Sequence, residues 1–404
     1  MSVGIAALVA LTSLSTVASV ADRRAAARRT ATTTEPLVVA LQNAHASLVA
    51  ADASAAAAFL SGGTEDPTQI RAYDESLARA STELQTAASR SAGDVDAEDA
   101  VRQASEQIPV YAGLIERARS NNRLGFPIGA AYLRAASDLV HDETIPSIER
   151  LSVIGNDALV EEYDGVRRTD LASGVGLTFF FVVVIGLLLV LQRFLASRTR
   201  RTLNPSLAGA TAVAVVAGLF VASSFLAFAA RFTDAKADGY DLVAAASRVR
   251  TTAFDARADE SLALIARGNG ARFVEEFNVG ARTMDEFLVR VLEASSNEDE
   301  RASASNIDGL WREYLKHNAT VRAHVAAGDQ QAAVVEALGP GAAAFAAFDD
   351  AVAEVISVNQ GEFDERVERA DRAIANVTWL IALAAAAVLA LTALGVAPRL
   401  AEYR

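Results

Sequence analysis

The sequence predicts an all-α membrane protein with four transmembrane helices and two tandemly duplicated extracytoplasmic four-helix bundles. Three observations lead to this fold class. Four apolar stretches each reach the roughly 20 residues that a helix needs to cross a bilayer. The two long segments between them carry apolar residues spaced three and four apart, as in helical bundles. Finally, short strings of the first long segment recur in the second.

The four predicted spans cover residues 3–21, 171–191, 207–230 and 377–396. The second has no charged residue over its whole length, and a buried helix of a soluble protein seldom lacks a polar face for so long. The first span also fits a signal peptide, because Ser19, Val20 and Ala21 follow the small-x-small pattern of a cleavage site. Only Met1 and Ser2 precede it, without a basic residue, so we interpret it as an uncleaved helix. The same absence fits a true start upstream of Met1.

Charge predicts which side of the membrane each segment faces. The loop 192–206 has four basic residues and no acidic one, and the tail 397–404 is also net basic. The segments 22–170 and 231–376 are net acidic and account for the overall charge of −13. The positive-inside tendency therefore places the loop and both termini in the cytoplasm and both long segments outside the cell (inner) membrane. One group of residues opposes this topology, since four arginines directly follow the first span: Arg23, Arg24, Arg28 and Arg29.

The basic loop is the first candidate functional surface. Its arginines are Arg193, Arg198, Arg200 and Arg201. Basic residues beside a span bind anionic lipid, at about 1 kcal/mol each, so the loop is expected to contact the bilayer. A further role as a cytoplasmic output surface remains open.

Each long segment is predicted to fold as a four-helix bundle. In the first, Leu37, Leu41 and Leu48 begin a seam that ends at a glycine turn. In the second, a helix ends at a similar turn. The two turns consist of Ser61, Gly62 and Gly63, and of Gly268, Asn269 and Gly270. Glycine turns of this kind are first of all helix C-caps. They also lie at the predicted bundle tips farthest from the membrane, where a partner protein can dock.

Internal similarity predicts a duplication of span, bundle and span. Residues 51–54, ADAS, match residues 258–261, ADES, and both precede a glycine turn. Because each half crosses the membrane twice, both halves keep the same orientation. We therefore expect the halves to pack as a pseudo-dimer within one chain, and a homodimer remains the alternative.

Composition and motifs argue against an enzyme. The chain has no cysteine and only four histidines, and it has no phosphate-binding glycine loop, nucleophile elbow or HExxH motif. His317 and His324 share a helical face but make an incomplete metal site. The acidic run from Asn297 to Glu300 is better explained as a solvated loop than as a calcium site. We therefore predict no catalytic, cofactor-binding or metal site, and the acidic charge argues against nucleic acid as a partner.

Four strings carry a resemblance to a known family. They are ADASAAAAFLSGG at 51–63, YAGLIERARSNNR at 111–123, PIGAAYLRAAS at 127–137 and ADESLALIARG at 258–268. They resemble the actinobacterial GlnX family, and the resemblance extends over nearly the whole chain. The helix–bundle–helix unit is also similar to the external sensors of chemoreceptors.

The resemblance implies a signalling function and two partners. GlnX-type proteins are encoded beside a periplasmic amino-acid-binding lipoprotein, GlnH, and the cytoplasmic Ser/Thr protein kinase G. The family is thought to relay external glutamate or aspartate availability to that kinase, and so to nitrogen and 2-oxoglutarate metabolism. Two alternatives stay open on the residues alone. One is a four-helix-bundle sensor that binds its small molecule directly, and the other is a scaffold of the cell envelope without signalling.

Overall fold

A computed structural model describes residues 2–62, 66–91, 95–199, 204–235, 241–295 and 297–401. Within these ranges the chain is helical and contains no strand, which confirms the all-α prediction. Four stretches are long and apolar enough to cross a membrane, as predicted. They are Gly4–Ala26, Gly176–Ser197, Pro205–Arg231 and a window within the helical run Gln330–Val396.

The helices are numbered here in chain order. They are α1 Ser2–Arg29, α2 Glu35–Leu60, α3 Pro67–Arg90, α4 Val95–Arg123, α5 Ile128–Leu139, α6 Ile145–Thr199, α7 Pro205–Ala235, α8 Asp241–Ala266, α9 Ala271–Ala294, α10 Glu298–Ala326, α11 Gln330–Leu338, α12 Pro340–Ala375 and α13 Val377–Ala401. They form two compact units. The span unit comprises Met1–Ala31, Val160–Ala235 and Asp364–Arg404, and the bundle unit comprises Thr32–Leu159 and Lys236–Phe363.

Two π-helical turns join helices that a proline would otherwise interrupt. Thr30–Thr34 connects α1 to α2 just before Pro36, and Val140–Thr144 connects α5 to α6 just before Pro146. Proline lacks an N–H group and its ring clashes with the carbonyl one turn earlier. A wider turn at that point removes both conflicts, so the helical path continues. The helix therefore accommodates Pro146 by a local widening.

The helices of the two halves correspond in length. Helices α2 and α8 each have 26 residues, α3 and α9 each have 24, and α4 and α10 each have 29. The turns after α2 and α8 both contain a glycine with positive φ, Gly62 and Gly268, where a side chain would be strained. Gly125 and Gly328, in the turns after α4 and α10, also have a positive φ. This correspondence is typical of a tandem repeat, with the turn glycines 206 and 203 residues apart.

Helices α2 and α8 form the centre of the bundle unit. Each packs against the other, and also against the following helix of its own half. Sixteen residues of α2 and 14 of α8 are buried, whereas α3 has five buried residues and α4 has six. A helix that is apolar on all sides has to be surrounded by protein. The alanine-rich sequence of α2 thus explains its central place, and both halves contribute to one continuous apolar core.

Aromatic side chains fill the core of the second half. Trp311 of α10 lies 5.3 Å from Phe348 of α12, and Tyr314 lies 5.3 Å from Phe345, both measured between ring centroids. The rings are tilted or edge-to-face, which are the favoured arrangements. The first half has the smaller pair Tyr73 and Tyr111, 6.2 Å apart.

In the span unit, α13 packs against α1 and α7. Close approach of helices in a membrane depends on small residues at the contact. Gly395 of α13 lies against Leu207 of α7, and its carbonyl oxygen accepts a hydrogen bond of 2.9 Å from Nδ2 of Asn204. Helices α12 and α13 are separated at Asn376, so one non-helical residue interrupts the helical run into the fourth span.

The arginines that follow the first span have partners within the span unit. Arg24 makes a bidentate ion pair with Asp371 of α12, with N–O distances of 2.8 and 3.0 Å. The guanidinium of Arg23 is buried 3.9 Å above the ring of Phe225 and donates a hydrogen bond to the carbonyl of Ser19. These two positive charges, which opposed the predicted topology, therefore have structural roles in helix packing.

Replacing Gly395 with valine is expected to destabilise the span unit by about 1–3 kcal/mol. A Cβ atom at this position would lie only 3.0 Å from Cγ of Leu207, so α13 and α7 would have to separate. Thermal unfolding in detergent micelles measures the loss. Gly186→Val is the matched control, because nothing lies within 4 Å of a Cβ atom built on Gly186 of α6. Equal unfolding temperatures of the two variants would contradict the packing argument.

Candidate functional site

A buried carboxylate lies where the two halves of the bundle unit meet. Asp52 of α2 is 1% exposed and accepts hydrogen bonds from Oγ of Ser137 at 2.7 Å and from the hydroxyl of Tyr111 at 3.3 Å. Nε2 of His141, in the π-helical turn after α5, lies 3.4 Å from the same carboxylate. A buried charge requires such partners, so three segments of the first half are fixed around one side chain of α2.

Helix α8 brings two further carboxylates to this point. Oδ1 of Asp255 lies 3.9 Å from Nδ1 of His141, so the imidazole stands between carboxylates of both halves. The same oxygen of Asp255 is buried and has no hydrogen-bond partner among the described residues. Asp259 follows one turn later on α8. We call these six residues the junction cluster: Asp52, Tyr111, Ser137, His141, Asp255 and Asp259.

The surroundings of the junction cluster raise the pKa of three of its members, His141, Asp255 and Asp259, above their ordinary values. Burial alone would lower the pKa of His141, but its hydrogen bond to Asp52 and the charges of Asp52, Asp255 and Asp259 raise it to about 9. Desolvation raises the pKa of Asp255 to about 6. Desolvation, reinforced by the charges of Glu276 and Asp255, raises the pKa of Asp259 to about 8. At neutral pH the cluster therefore contains an imidazolium at His141 and a protonated carboxyl group at Asp259.

The pKa of a second histidine, His45, is lowered rather than raised. Burial of His45 on α2, together with the positive charge of His141, lowers its pKa to about 4. His45 is thus neutral under physiological conditions while His141 is charged. The pair shows how strongly the carboxylates of the junction cluster, rather than burial, decide the state of His141.

A cavity of about 270 Å³ opens beside the junction cluster. His141, Ser137, Asp255 and Asp259 form part of its wall. Apart from Ala258, Leu262 and Phe273, the remainder of the wall consists of charged side chains: Arg134, Asp138, Asp142, Arg272 and Glu276. The cavity is polar and charged of both signs, which suits water or a small polar solute better than an apolar one.

The second half has its own buried polar group. Arg257 and Glu260 of α8 form an ion pair, with both side chains less than 10% exposed. Glu260 also accepts hydrogen bonds from the Tyr314 hydroxyl at 3.2 Å and from Nδ2 of Asn318 at 2.7 Å, and Arg257 donates to the carbonyl of Ala337 at 2.7 Å. Tyr314 and Tyr111 occupy the same position counted from the starts of α10 and α4. Each half therefore fixes its central helix through a tyrosine and a buried carboxylate.

The turn residues predicted as docking tips lie at the ends of the central helices. Ser61 and Gly62 follow α2, and residues 268–270 follow α8. The positive φ of Gly62 and Gly268 shows that both turns are C-caps. Gly63 lies outside the described residues. Docking at these turns stays a prediction.

The arginines of the basic loop are only partly described. Arg193 is exposed near the end of α6, and the backbone of Arg198 is helical. Arg200 and Arg201 lie outside the described residues. Lipid contact and an output role for this loop both stay predictions.

Two of the residues weighed as metal ligands, His317 and Asn297, have other partners. Nδ1 of His317 lies 2.6 Å from Oε1 of Glu336. Asn297 caps α10 by accepting a hydrogen bond from the backbone N–H of Glu300. In the part of the chain that the structure describes, no group of three or more His, Asp or Glu side chains is arranged to hold a metal ion.

The junction cluster itself was not predicted from the sequence. Asp52 interrupts a run of alanines, and a polar residue on an otherwise apolar helix is the one signal that could have singled it out. Its partner His141 is 89 residues away, and no spacing rule joins the two.

Comparison with protein families gives a match that includes the first half of the bundle unit and a few residues on either side of it. Residues 26–164 match the actinobacterial sensor domain. No curated protein and no solved structure matches the chain. The matched residues include α2 to α5 and, within the junction cluster, Asp52, Tyr111, Ser137 and His141.

The match supports an actinobacterial sensor family and suggests a role in sensing or signalling. It does not distinguish the GlnX family from other members. The match includes the helices that enclose the buried Asp52 carboxylate, so the four junction-cluster residues of the first half belong to the matched segment, whereas Asp255 and Asp259 of α8 lie outside it.

Replacing Asp259 with asparagine is expected to reduce the loss of stability with rising pH. The folded pKa of Asp259 is about 8, above its ordinary value of 3.8, so the folded chain holds this proton more tightly than the unfolded chain. The stabilisation is complete below pH 4 and is lost as pH rises through 8. His141 adds a loss between pH 6.5 and 9, which asparagine leaves largely in place.

The measurement is the unfolding temperature of the full chain in detergent between pH 6.5 and 9. His45 titrates below this range and does not interfere. Asp99→Asn, on the exposed surface of α4, is the control and should retain the wild-type pH profile. If the unfolding temperature of Asp259→Asn falls with pH as steeply as that of the wild type, then Asp259 is already ionised at pH 6.5 in the folded wild type.

Proposed function

We propose that this chain is a transmembrane signal transducer that relays extracellular glutamate or aspartate availability to a cytoplasmic Ser/Thr protein kinase. A periplasmic amino-acid-binding lipoprotein delivers the signal, and the kinase controls nitrogen and 2-oxoglutarate metabolism. The observation that carries the proposal is the sensor-domain match, because the matched helices continue into a candidate membrane span through the single helix α6. The similarity of four sequence strings to the GlnX family supports the choice of signal and partners.

In this proposal the bundle unit is extracytoplasmic and the loop 192–206 is cytoplasmic. The loop's arginines and the acidic character of both long segments support that orientation. The lipoprotein docks at the two glycine turns, and the basic loop, beside the bilayer, is the output surface. The chain acts as a transducer and not as an enzyme.

The proposed switch is the packing of α2 against α8. The two halves act as a pseudo-dimer whose central contact contains the charges of the junction cluster. A ligand-loaded lipoprotein that binds one arrangement of α2 and α8 better than the other shifts the population between them. A tenfold shift requires only about 1.4 kcal/mol of differential binding. Helices α6 and α12 carry the change toward the spans.

A binding experiment tests the proposal. The full chain in lipid nanodiscs is titrated with the proposed partner, the periplasmic amino-acid-binding lipoprotein. The titration is run with and without glutamate, aspartate or asparagine. We expect amino-acid-dependent binding that Asn269→Trp, in the turn after α8, abolishes. Arg301→Trp, on the exposed side of α10, is the control and should bind normally. Absence of binding under every condition, with a folded chain, would contradict the relay.

A further inference from the structure

A second cavity, which we call the tip pocket, lies between α8, α9 and α10 beside the turn that follows α8. Its volume is about 390 Å³, within the range of small-molecule sites. Its wall is mainly apolar and includes Leu264, Phe273, Phe277 and Val321. Solvent reaches the pocket, because Val274 and Val325 at its edge are 36% and 44% exposed. Exposed apolar side chains around a concavity favour a ligand with an apolar body.

Two arginines supply positive charge to the tip pocket. The guanidinium of Arg322 lies 4.8 Å from the ring centroid of Phe277, and its Nη1 donates a hydrogen bond of 2.9 Å to Oδ1 of Asn278. These contacts hold the side chain in place but engage one of its five N–H groups. Arg267, an exposed residue of the turn itself, also lines the pocket and supplies the second positive charge.

The backbone of Arg267 is strained. Its φ of +39° is the one positive value of a non-glycine residue within the described ranges. A side chain in this left-handed region is disfavoured, and such residues cluster at functional sites. The first half makes the corresponding turn without strain, since Ser61 has a φ of −65° and only Gly62 is left-handed. The turn alone therefore does not require an arginine in this conformation.

The acidic residues of the tip pocket do not cancel the two arginines. Glu260 is already paired with Arg257 and accepts hydrogen bonds from Tyr314 and Asn318. Asp259 is a proton donor at neutral pH, because its desolvation raises its pKa to about 8. An incoming anion therefore meets two cations and a neutral acid that can donate a hydrogen bond.

At the corresponding end of the first half, the described residues of α2, α4 and α5 are in direct contact. There, Nδ2 of Asn122 donates a hydrogen bond of 2.8 Å to the carbonyl of Phe59. A Cβ atom on Gly129 would lie 3.1 Å from the backbone of Asn122 and 3.2 Å from the ring of Phe59, so α5 packs directly onto this end. In the second half, Gln330 at the start of α11 bonds to the carbonyl of Leu264 and lines the pocket's edge.

We propose that the tip pocket binds a small organic carboxylate with an apolar body. The carboxylate pairs with Arg322 and Arg267, and the apolar part packs against Phe273 and Phe277. This goes beyond the relay, because the chain itself binds a small molecule without the lipoprotein. The second half is the receiving half for that ligand.

The test uses the full chain in nanodiscs, without any lipoprotein, titrated calorimetrically with three probes of one shape. These are 3-phenylpropanoate, the neutral 3-phenylpropan-1-ol and the cationic 3-phenylpropylamine. We expect saturable binding of the carboxylate and at least tenfold weaker binding of the alcohol and the amine, since a charged hydrogen bond is lost. Equal binding of the amine, or no saturable binding of the carboxylate, would overturn the proposal. Because the lipoprotein is absent, the result is independent of the relay.

Two variants separate a binding role of the arginines from a structural one. Arg322→Gln should weaken 3-phenylpropanoate binding by roughly tenfold to a hundredfold. Arg267→Asn should weaken it by about tenfold while leaving the unfolding temperature unchanged or higher, because asparagine tolerates the left-handed conformation. Arg301→Gln, on the exposed surface of α10, should bind like the wild type. Wild-type affinity in both Arg322→Gln and Arg267→Asn would show that the pocket does not use these charges.

Discussion

Replacing Glu260 with leucine is expected to lower the free energy of unfolding by about 3–5 kcal/mol. Arg257 is 5% exposed and would remain charged inside the core without its carboxylate partner. The Tyr314 hydroxyl and the Asn318 amide would lose the acceptor that they share. Urea unfolding of the full chain in detergent, followed by circular dichroism, measures the loss. An effect of this size is a large part of the stability of a typical domain.

The double variant Arg257→Met, Glu260→Leu tests the cause. Removing both charges leaves an apolar pair of similar volume, so most of the lost stability should return. The exposed pair of Arg102 and Asp99 on α4 is the matched control, and Asp99→Asn should have no measurable effect. If the double variant is as unstable as Glu260→Leu, then the lost hydrogen bonds of Tyr314 and Asn318 or lost packing, rather than an unpaired charge, explain the effect.

Replacing Asp52 with alanine is expected to lower the pKa of His141 from about 9 and to destabilise the chain by about 2–4 kcal/mol. The hydrogen bond and the charge of Asp52 are the main influences that raise this pKa against burial. Without them the imidazole becomes neutral near physiological pH. Tyr111 and Ser137 would also lose their acceptor in the core. The imidazole resonances of the four histidines, followed by NMR against pH, give the pKa directly.

The pH dependence of stability gives an independent measurement of the same effect. In the wild type, the contribution of His141 is complete below pH 6.5 and disappears as pH rises through 9, because the folded pKa is the higher one. In Asp52→Ala this alkaline loss should shrink. Ser137→Ala removes one donor and keeps the carboxylate, so it should retain a raised His141 pKa. An unchanged His141 pKa in Asp52→Ala would assign the effect to Asp255 and Asp259 instead.

The sequence predicts the helices and spans because both depend on local composition. An uncharged stretch such as 171–191 has no alternative to a membrane or a deep core, and the glycine turn at Gly62 ends a helix wherever it lies. The π-helical turns before Pro36 and Pro146 were not predicted, because a proline in a helical pattern signals a break or a kink as readily as a widened turn.

The junction cluster was beyond prediction for a different reason. Alanine is apolar enough for a core and common enough on a surface, so the pattern of α2 does not show how many neighbours it has. Its contact with α8 joins residues about 200 positions apart in the chain. Only that contact brings Asp255 to His141. The tip pocket likewise depends on how α8, α9 and α10 are arranged at one end. The spacing of apolar residues along each helix does not predict that arrangement.

The alanine-rich surface of α2 has a consequence for its sliding against α8. An alanine side chain has no rotamers, so moving one such helix along another changes contacts without costing side-chain entropy. The register of the pair is then determined mainly by its larger and its polar side chains. Among the polar ones, Asp52 of α2 and Asp255 of α8 lie on either side of the ring of His141. Two states of this contact, one helical step apart, would differ chiefly in which carboxylate the imidazolium faces.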